Sequence, residues 1–198
     1  MPINVYGVKM KDIKECAEFY KSFLNKDYIF TLEGDIKFKI FFVKGNFHHL
    51  LGLGKLKDIE ELNIEKNKAD KIYKDILSGD ISIEKIENSV FYYKILNRVE
   101  NFQNITDLLD IDKCKIIIDF DRNLLDDTNL INTKYILFKH KNDGYIHLTL
   151  GDKGKGIYPE TFFYEGSKRY ITEQVLLDII DIEIVTHAKK KKELITSA

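Results

Sequence analysis

Cysteine is scarce, with Cys16 and Cys114 the only two and far apart in the chain. Two thiols build neither a disulfide framework nor a four-ligand zinc site, so a reducing cytoplasm with both side chains buried is the expected setting. Long apolar runs are missing too. None approaches the ~18 to 20 residues that span a bilayer, and Met1-Pro2-Ile3-Asn4 lacks the basic-then-apolar opening of an export signal. A soluble, unexported protein with no membrane partner is expected. Neither sign of charge is in excess: 31 Lys and Arg face 32 Asp and Glu, a net charge of −1. No global field draws in nucleic acid, and any RNA or DNA binding must rest on a local basic patch. There is no internal repeat and no linker rich in Pro, Gly or Ser, so the 198 residues suit one domain with room for an insertion.

What is present alternates between two periods. Ile13, Cys16, Ala17, Tyr20, Phe23 and Leu24 recur at spacings of three and four, which predicts an amphipathic helix over 11–25. Residues 28–32 and 36–43 predict a hairpin around Glu33-Gly34-Asp35, with Ile36, Phe38, Ile40 and Phe42 buried and Lys37 and Lys39 in water. Between 57 and 110 the period is helical. Ile72, Tyr73, Ile76 and Leu77 fit a helix ended by Ser78-Gly79-Asp80, while Phe91, Ile95, Val99 and Phe102 fit another, with Ser89 as its N-cap. The last third is rich in strands, at 115–120, 135–141, 145–150, 158–164 and the alternation Ile180, Ile182, Ile184.

The Asn142-Asp143-Gly144 link admits two hairpin registers. A two-residue turn at Asp143-Gly144 sets His140 opposite His147 and mixes both faces. A three-residue turn with Gly144 at positive φ sets Lys139 opposite His147. It separates Ile136, Phe138, Ile146, Leu148 and Leu150 from Lys139, Lys141, Tyr145, His147 and Thr149, and is the expected register. The glycine-rich 151–156 stretch is a connection and lacks P-loop spacing. The fold class is therefore α+β: an N-terminal helix and hairpin, a helical insertion, and a C-terminal antiparallel meander of about four strands.

Chemistry concentrates in two stretches. In Phe47-His48-His49-Leu50-Leu51-Gly52-Leu53 the adjacent imidazoles diverge on either a helix or a strand, so one of them faces a given site. Such a histidine serves either as a near-neutral acid or base, or as a satisfied core residue. In Tyr158-Pro159-Glu160-Thr161-Phe162-Phe163-Tyr164, Thr161 and Tyr164 can hydrogen-bond a phosphate or simply face water. Lys168 and Arg169 can neutralise a phosphate or cap a surface turn. Asp119 and Asp121 flank Phe120 on a strand, which suits either a divalent ion or a solvated strand end.

Together the His49-Leu50-Leu51-Gly52-Leu53 run and the distant Pro159-Glu160-Thr161-Phe162-Phe163 run resemble the phage-associated branch of the barnase–EndoU–colicin–RelE nuclease superfamily. Lys168-Arg169-Tyr170-Ile171 and Gln174 follow the second run. The resemblance spans about residues 10 to 185, and it implies a helix packed on an antiparallel sheet and a metal-independent ribonuclease with no cofactor. Residues 1–188 are then one nuclease-like domain with a helical insertion at about 57–110, and 189–198 a basic tail. RNA brings its own nucleophile, the 2′-hydroxyl, so the protein must move protons and steady charge on phosphorus. The resemblance makes His49 the catalytic imidazole and Thr161 a phosphate contact. Sheet-face and charge arguments add Arg169 as a catalytic cation and His48, Lys139, His147, Tyr164 and Lys168 as substrate contacts. The neutral overall charge favours a structured or ribosome-bound RNA, in a toxin or phage-conflict effector with a cognate inhibitor protein. A non-catalytic module binding protein or nucleic acid on the same fold is the alternative.

Overall fold

Asp12 opens the first helix, α1 (Ile13–Tyr20), where its carboxylate accepts the Glu15 amide at 2.8 Å and satisfies a donor the helix itself cannot. A computed structural model describes residues 12–152, 154 and 156–187; the 189–198 tail and the Met1-Pro2-Ile3-Asn4 opening lie outside them. Ile13, Cys16, Ala17 and Tyr20 form the buried stripe of α1. β1 (Lys26–Leu32) and β2 (Lys37–Phe41) then pair antiparallel around a turn in which Gly34 takes φ 78°. Tyr28, Phe30, Phe38 and Ile40 point from this hairpin into the core.

Four helices follow: α2 (Asn46–Leu51), α3 (Ala69–Ser78), α4 (Ile83–Glu87) and α5 (Tyr93–Asn101). Gly79 ends α3 at φ 89°, the left-handed conformation that a helix stop of this kind needs. Ser89 lies ahead of α5 and does not cap it. Its hydroxyl donates to Asp58 at 2.6 Å, and Asp58 also accepts the Val90 amide at 3.0 Å, which fastens the loop after α2 to the helical layer. Where the helices meet, Tyr20 lies 5.4 Å from Phe47 and 5.7 Å from Tyr73, with Phe102 completing the aromatic group. Each such ring pair adds about 1 kcal/mol beyond the area it buries.

The remaining strands are β3 (Lys115–Ile117), β4 (Thr133–Lys141), β5 (Gly144–Asp152), β6 (Ile157–Glu165), β7 (Leu176–Leu177) and β8 (Ile179–Thr186). The α+β class stands, but the separate C-terminal meander of about four strands does not form. All strands join one eight-stranded mixed sheet in the order β7-β3-β4-β5-β6-β2-β1-β8. The N-terminal hairpin enters through a parallel contact of β2 with β6, Ile40 opposite Ile157. β7 and β8 occupy opposite edges although only Asp178 separates them, since Leu176 and Leu177 pair with β3 and the following residues pair with β1. One short stretch thus reaches both edges and bends the sheet almost into a barrel, which leaves less strand edge unpaired. The β2–β6 and β1–β8 pairings join residues more than a hundred positions apart, and all of these contacts lie beyond the reach of local periodicity.

The β4–β5 register is a second correction. Phe138 faces His147 and Lys139 faces Ile146 across a link of Asn142 and Asp143, with Asn142 at φ 54°. Gly144 is needed for a reason other than positive φ, because the Tyr164 ring lies against it and a Cβ would stand 2.7 Å from the Glu165 carbonyl oxygen. Polarity could not choose the register because both faces are covered. Leu137, Ile146, Leu148 and Leu150 join the main core, while Ile136 and Phe138 join a second cluster with Ile117, Phe120 and Leu130. The 115–120 strand also stops early: Asp119 takes φ 45°, and Asp121 turns to accept the Asn123 amide at 2.9 Å. Asp119 and Asp121 therefore do not share a strand face. Among the described residues no three His, Cys, Asp or Glu side chains converge as metal ligands, and no helix is long and apolar enough to cross a membrane.

Candidate active site

Each residue of the two motif stretches has a distinct task. Asn46, at the start of α2, accepts the Val43 amide at 2.9 Å and donates to the Pro159 carbonyl at 3.1 Å, pinning α2 to β6. Phe47, Leu50 and Leu51 enter the core, which fixes the rotation of α2 and leaves His49 exposed. His48 is buried, with Nε2 2.8 Å from the Leu62 carbonyl oxygen. That contact makes Nε2 the protonated nitrogen, and Nδ1 is left without a hydrogen bond. Burial lowers the His48 pKa, partly offset by the Leu62 carbonyl, so the ring is a neutral strut.

On β6, the pairing with β5 slips between Thr149, opposite Thr161, and Leu150, opposite Pro159. Glu160 is the extra residue of this β-bulge, a feature that redirects side chains and tolerates a proline. Glu160 and Thr161, consecutive in sequence, both reach the same cleft. Phe162 turns into the main core and Phe163 stacks on His147 on the far face.

His48, His49, Glu160 and Thr161 line one cleft of about 670 Å³, walled on the other side by the loop from Gly52 to Lys66. The residue that joins its two halves is Arg98, from α5. Its Nη1 donates to Thr161 Oγ1 at 2.7 Å, to the Leu50 carbonyl at 3.2 Å and to the His49 carbonyl at 3.3 Å. Burial brings its pKa down to about 10, so it remains charged at neutral pH. Among the described residues no carboxylate pairs with it. Gly52 makes room for it: this residue caps α2 at φ 72°, and a Cβ there would stand 3.3 Å from the guanidinium carbon. Lys55 and Lys57 also border the cleft. The pKa of Lys55 is lowered by burial and then by the charges of Arg98 and Lys94. A half-buried arginine with no carboxylate paired to it among the described residues can hydrogen-bond an anion, in a cleft whose lining also carries Glu60, Glu65 and Glu160.

A family model described as phage-Barnase-EndoU-ColicinE5/D-RelE like nuclease4 matches residues 12–196. The chain belongs to that nuclease family. No curated protein and no solved structure matches it.

Within this nuclease the other residues singled out from sequence lie away from the cleft lining. Lys139 pairs with Asp107 at 2.6 Å, and Tyr164 donates to Asp143 at 2.5 Å. Lys168 is exposed on the turn after β6. Arg169 donates to the Asp127 carbonyl and lies 4.8 Å over the Tyr170 ring. His147 is fully buried. Sequence reasoning passed over Arg98 and Asn46. Arg98 carried a signal: it is one of three arginines among 31 basic residues, and arginine in a lysine-rich chain marks places where a planar fork is needed. Asn46 carried none, because its partner is a backbone carbonyl 113 residues away.

Proposed function

We propose that this nuclease is a metal-independent endoribonuclease cleaving RNA by transesterification, and that it acts as a toxin in phage–bacterium conflict. The observation that carries the reading is Arg98, held between Thr161 and the His49 backbone and paired with no carboxylate among the described residues. A phosphodiester seated there meets the Arg98 fork, the Thr161 hydroxyl and the Lys55 ammonium. The 2′-oxygen attacks phosphorus, its proton passing to a base of the cleft. The bond from phosphorus to the 5′-oxygen breaks, and that oxygen takes a proton from an acid. His49 and Glu160, whose carboxylate accepts the Thr133 hydroxyl at 2.6 Å, are two groups of the cleft suited to this pair of transfers. Negative charge gathering on the phosphoryl oxygens is met by Arg98 and Lys55. The products are a 2′,3′-cyclic phosphate and a free 5′-hydroxyl.

The phage word in the family description supports the conflict setting, and the neutral net charge supports a particular RNA over indiscriminate degradation. The deciding experiment incubates purified protein with total RNA in chelator and maps the product ends. Cyclic phosphate ends that disappear in a folded His49→Ala variant are expected. Parental cleavage by that variant, or none by the parent, overturns the reading.

A further inference from the structure

Positive charge does not stop at the cleft. One turn before Arg98 on α5 stands Lys94, an i, i+4 pair of like charge that costs the helix stability. Among the described residues Lys94 forms no ion pair. Its ammonium lies 4.6 Å from the Phe91 ring centre and 5.8 Å from that of Tyr93. Lys55, on the cleft rim, is near enough to Lys94 and Arg98 to feel both charges. Tyr93 is 70% exposed, and the nearby Asp58 is occupied by the Ser89 hydroxyl and the Val90 amide. An aromatic ring in water beside an unpaired ammonium, one helical turn from a phosphate-type site, matches how single-stranded nucleic acid is held.

The geometry points to a second nucleotide subsite on this shoulder of α5, where Tyr93 stacks on a base and Lys94 holds a phosphate flanking the one cleaved in the cleft. It rests on the ribonuclease reading and adds the substrate class, a single-stranded RNA longer than a dinucleotide. The four-residue step from Arg98 to Lys94 is about 6 Å along the helix, comparable to the step between neighbouring phosphates of an extended strand. Duplex RNA does not fit, because its paired and stacked bases offer Tyr93 no free face.

The test uses the full chain with Tyr93→Ala, Tyr93→Phe and Lys94→Ala. Binding of an unstructured 2′-O-methyl oligonucleotide, whose nucleophile is blocked, is read by fluorescence anisotropy over a salt series. Cleavage is compared on a dinucleotide and on the matching unmodified oligonucleotide. Tyr93→Ala and Lys94→Ala are each expected to weaken binding about tenfold and to reduce the preference for oligonucleotide over dinucleotide, while Tyr93→Phe retains both. Lys94→Ala also flattens the slope of log K against log salt by about 0.7, and Tyr93→Ala leaves it unchanged. Parental affinity in both alanine variants, equal losses on both substrate lengths, or equal binding of duplex by the parent overturns the subsite. A parent that cleaves RNA with unaffected variants removes the subsite alone. A parent that neither cleaves nor binds removes the ribonuclease reading with it.

Discussion

On one side of the sheet His49 stands exposed at the rim of the cleft, beside Arg98, which pairs with no carboxylate among the described residues. On the other side His147 is sealed, stacked 4.8 Å from Phe163 and packed edge-on to Tyr170, with neither ring nitrogen hydrogen-bonded. Polar contacts fasten the loops beyond His147. Arg169 donates to Asp127, and the Gln174 amide exchanges hydrogen bonds of 2.9 Å in both directions with the Asp121 backbone, locking two loops together. The two histidines thus differ in exposure, His49 open to solvent and His147 sealed, whereas Arg98 is half-buried on the cleft and Arg169 exposed on its loop. A side chain bordering a cleft can meet a ligand, whereas a ring sealed among other aromatics serves packing.

The largest expected effect falls on the cleft. Arg98→Ala should lower kcat by about 10²- to 10³-fold, as loss of one donor to developing charge does elsewhere. Arg98→Lys, which keeps the charge without the fork, should fall between. Arg169→Ala, on an exposed loop away from the cleft lining, should leave cleavage near parental. Equal losses for Arg98→Ala and Arg169→Ala would erase the contrast between the two sides.

Next is the stability of the sealed side against pH. Burial brings the His147 pKa down to about 4 from the usual 6.5. Between those values the unfolded chain binds a proton that the folded chain refuses, so this contribution is present above pH 6.5 and is lost as pH falls toward 4. From pH 7 to pH 5 the loss should reach about 2 kcal/mol, read from urea denaturation at both pH values. His147→Phe should abolish that share and hold or raise stability at pH 7 by about 1 kcal/mol, since it deletes two unpaired nitrogens while keeping a flat ring. If the pH dependence of the variant matches the parent's, His147 is not its source.

The smallest effect sharpens the join between motif and arginine. Gly52→Ala places a Cβ at φ 72° and against the guanidinium, which should cost about 1 kcal/mol of stability and reduce cleavage more than that strain alone explains. Unchanged kcat in a folded Gly52→Ala protein would show that Arg98 can shift without consequence.

Residues alone settled what short-range physics controls. The stripe of α1, the β1–β2 hairpin with Gly34 in its turn, and the Gly79 stop of α3 follow from side-chain period and glycine's freedom at positive φ. The two motif stretches that bring His49 and Thr161 to one cleft were also visible, through a family likeness that covers most of the chain. Tertiary structure alone decided the rest. Strand order, the β4–β5 register and the near-closure through Asp178 depend on pairings between distant segments and on a sheet covered on both faces, where polarity no longer labels inside and outside. It also decided which cation meets Thr161. Arg98 arrives from a helix 63 residues earlier and Arg169 is held by the opposite loops, a choice set by packing that no local spacing encodes.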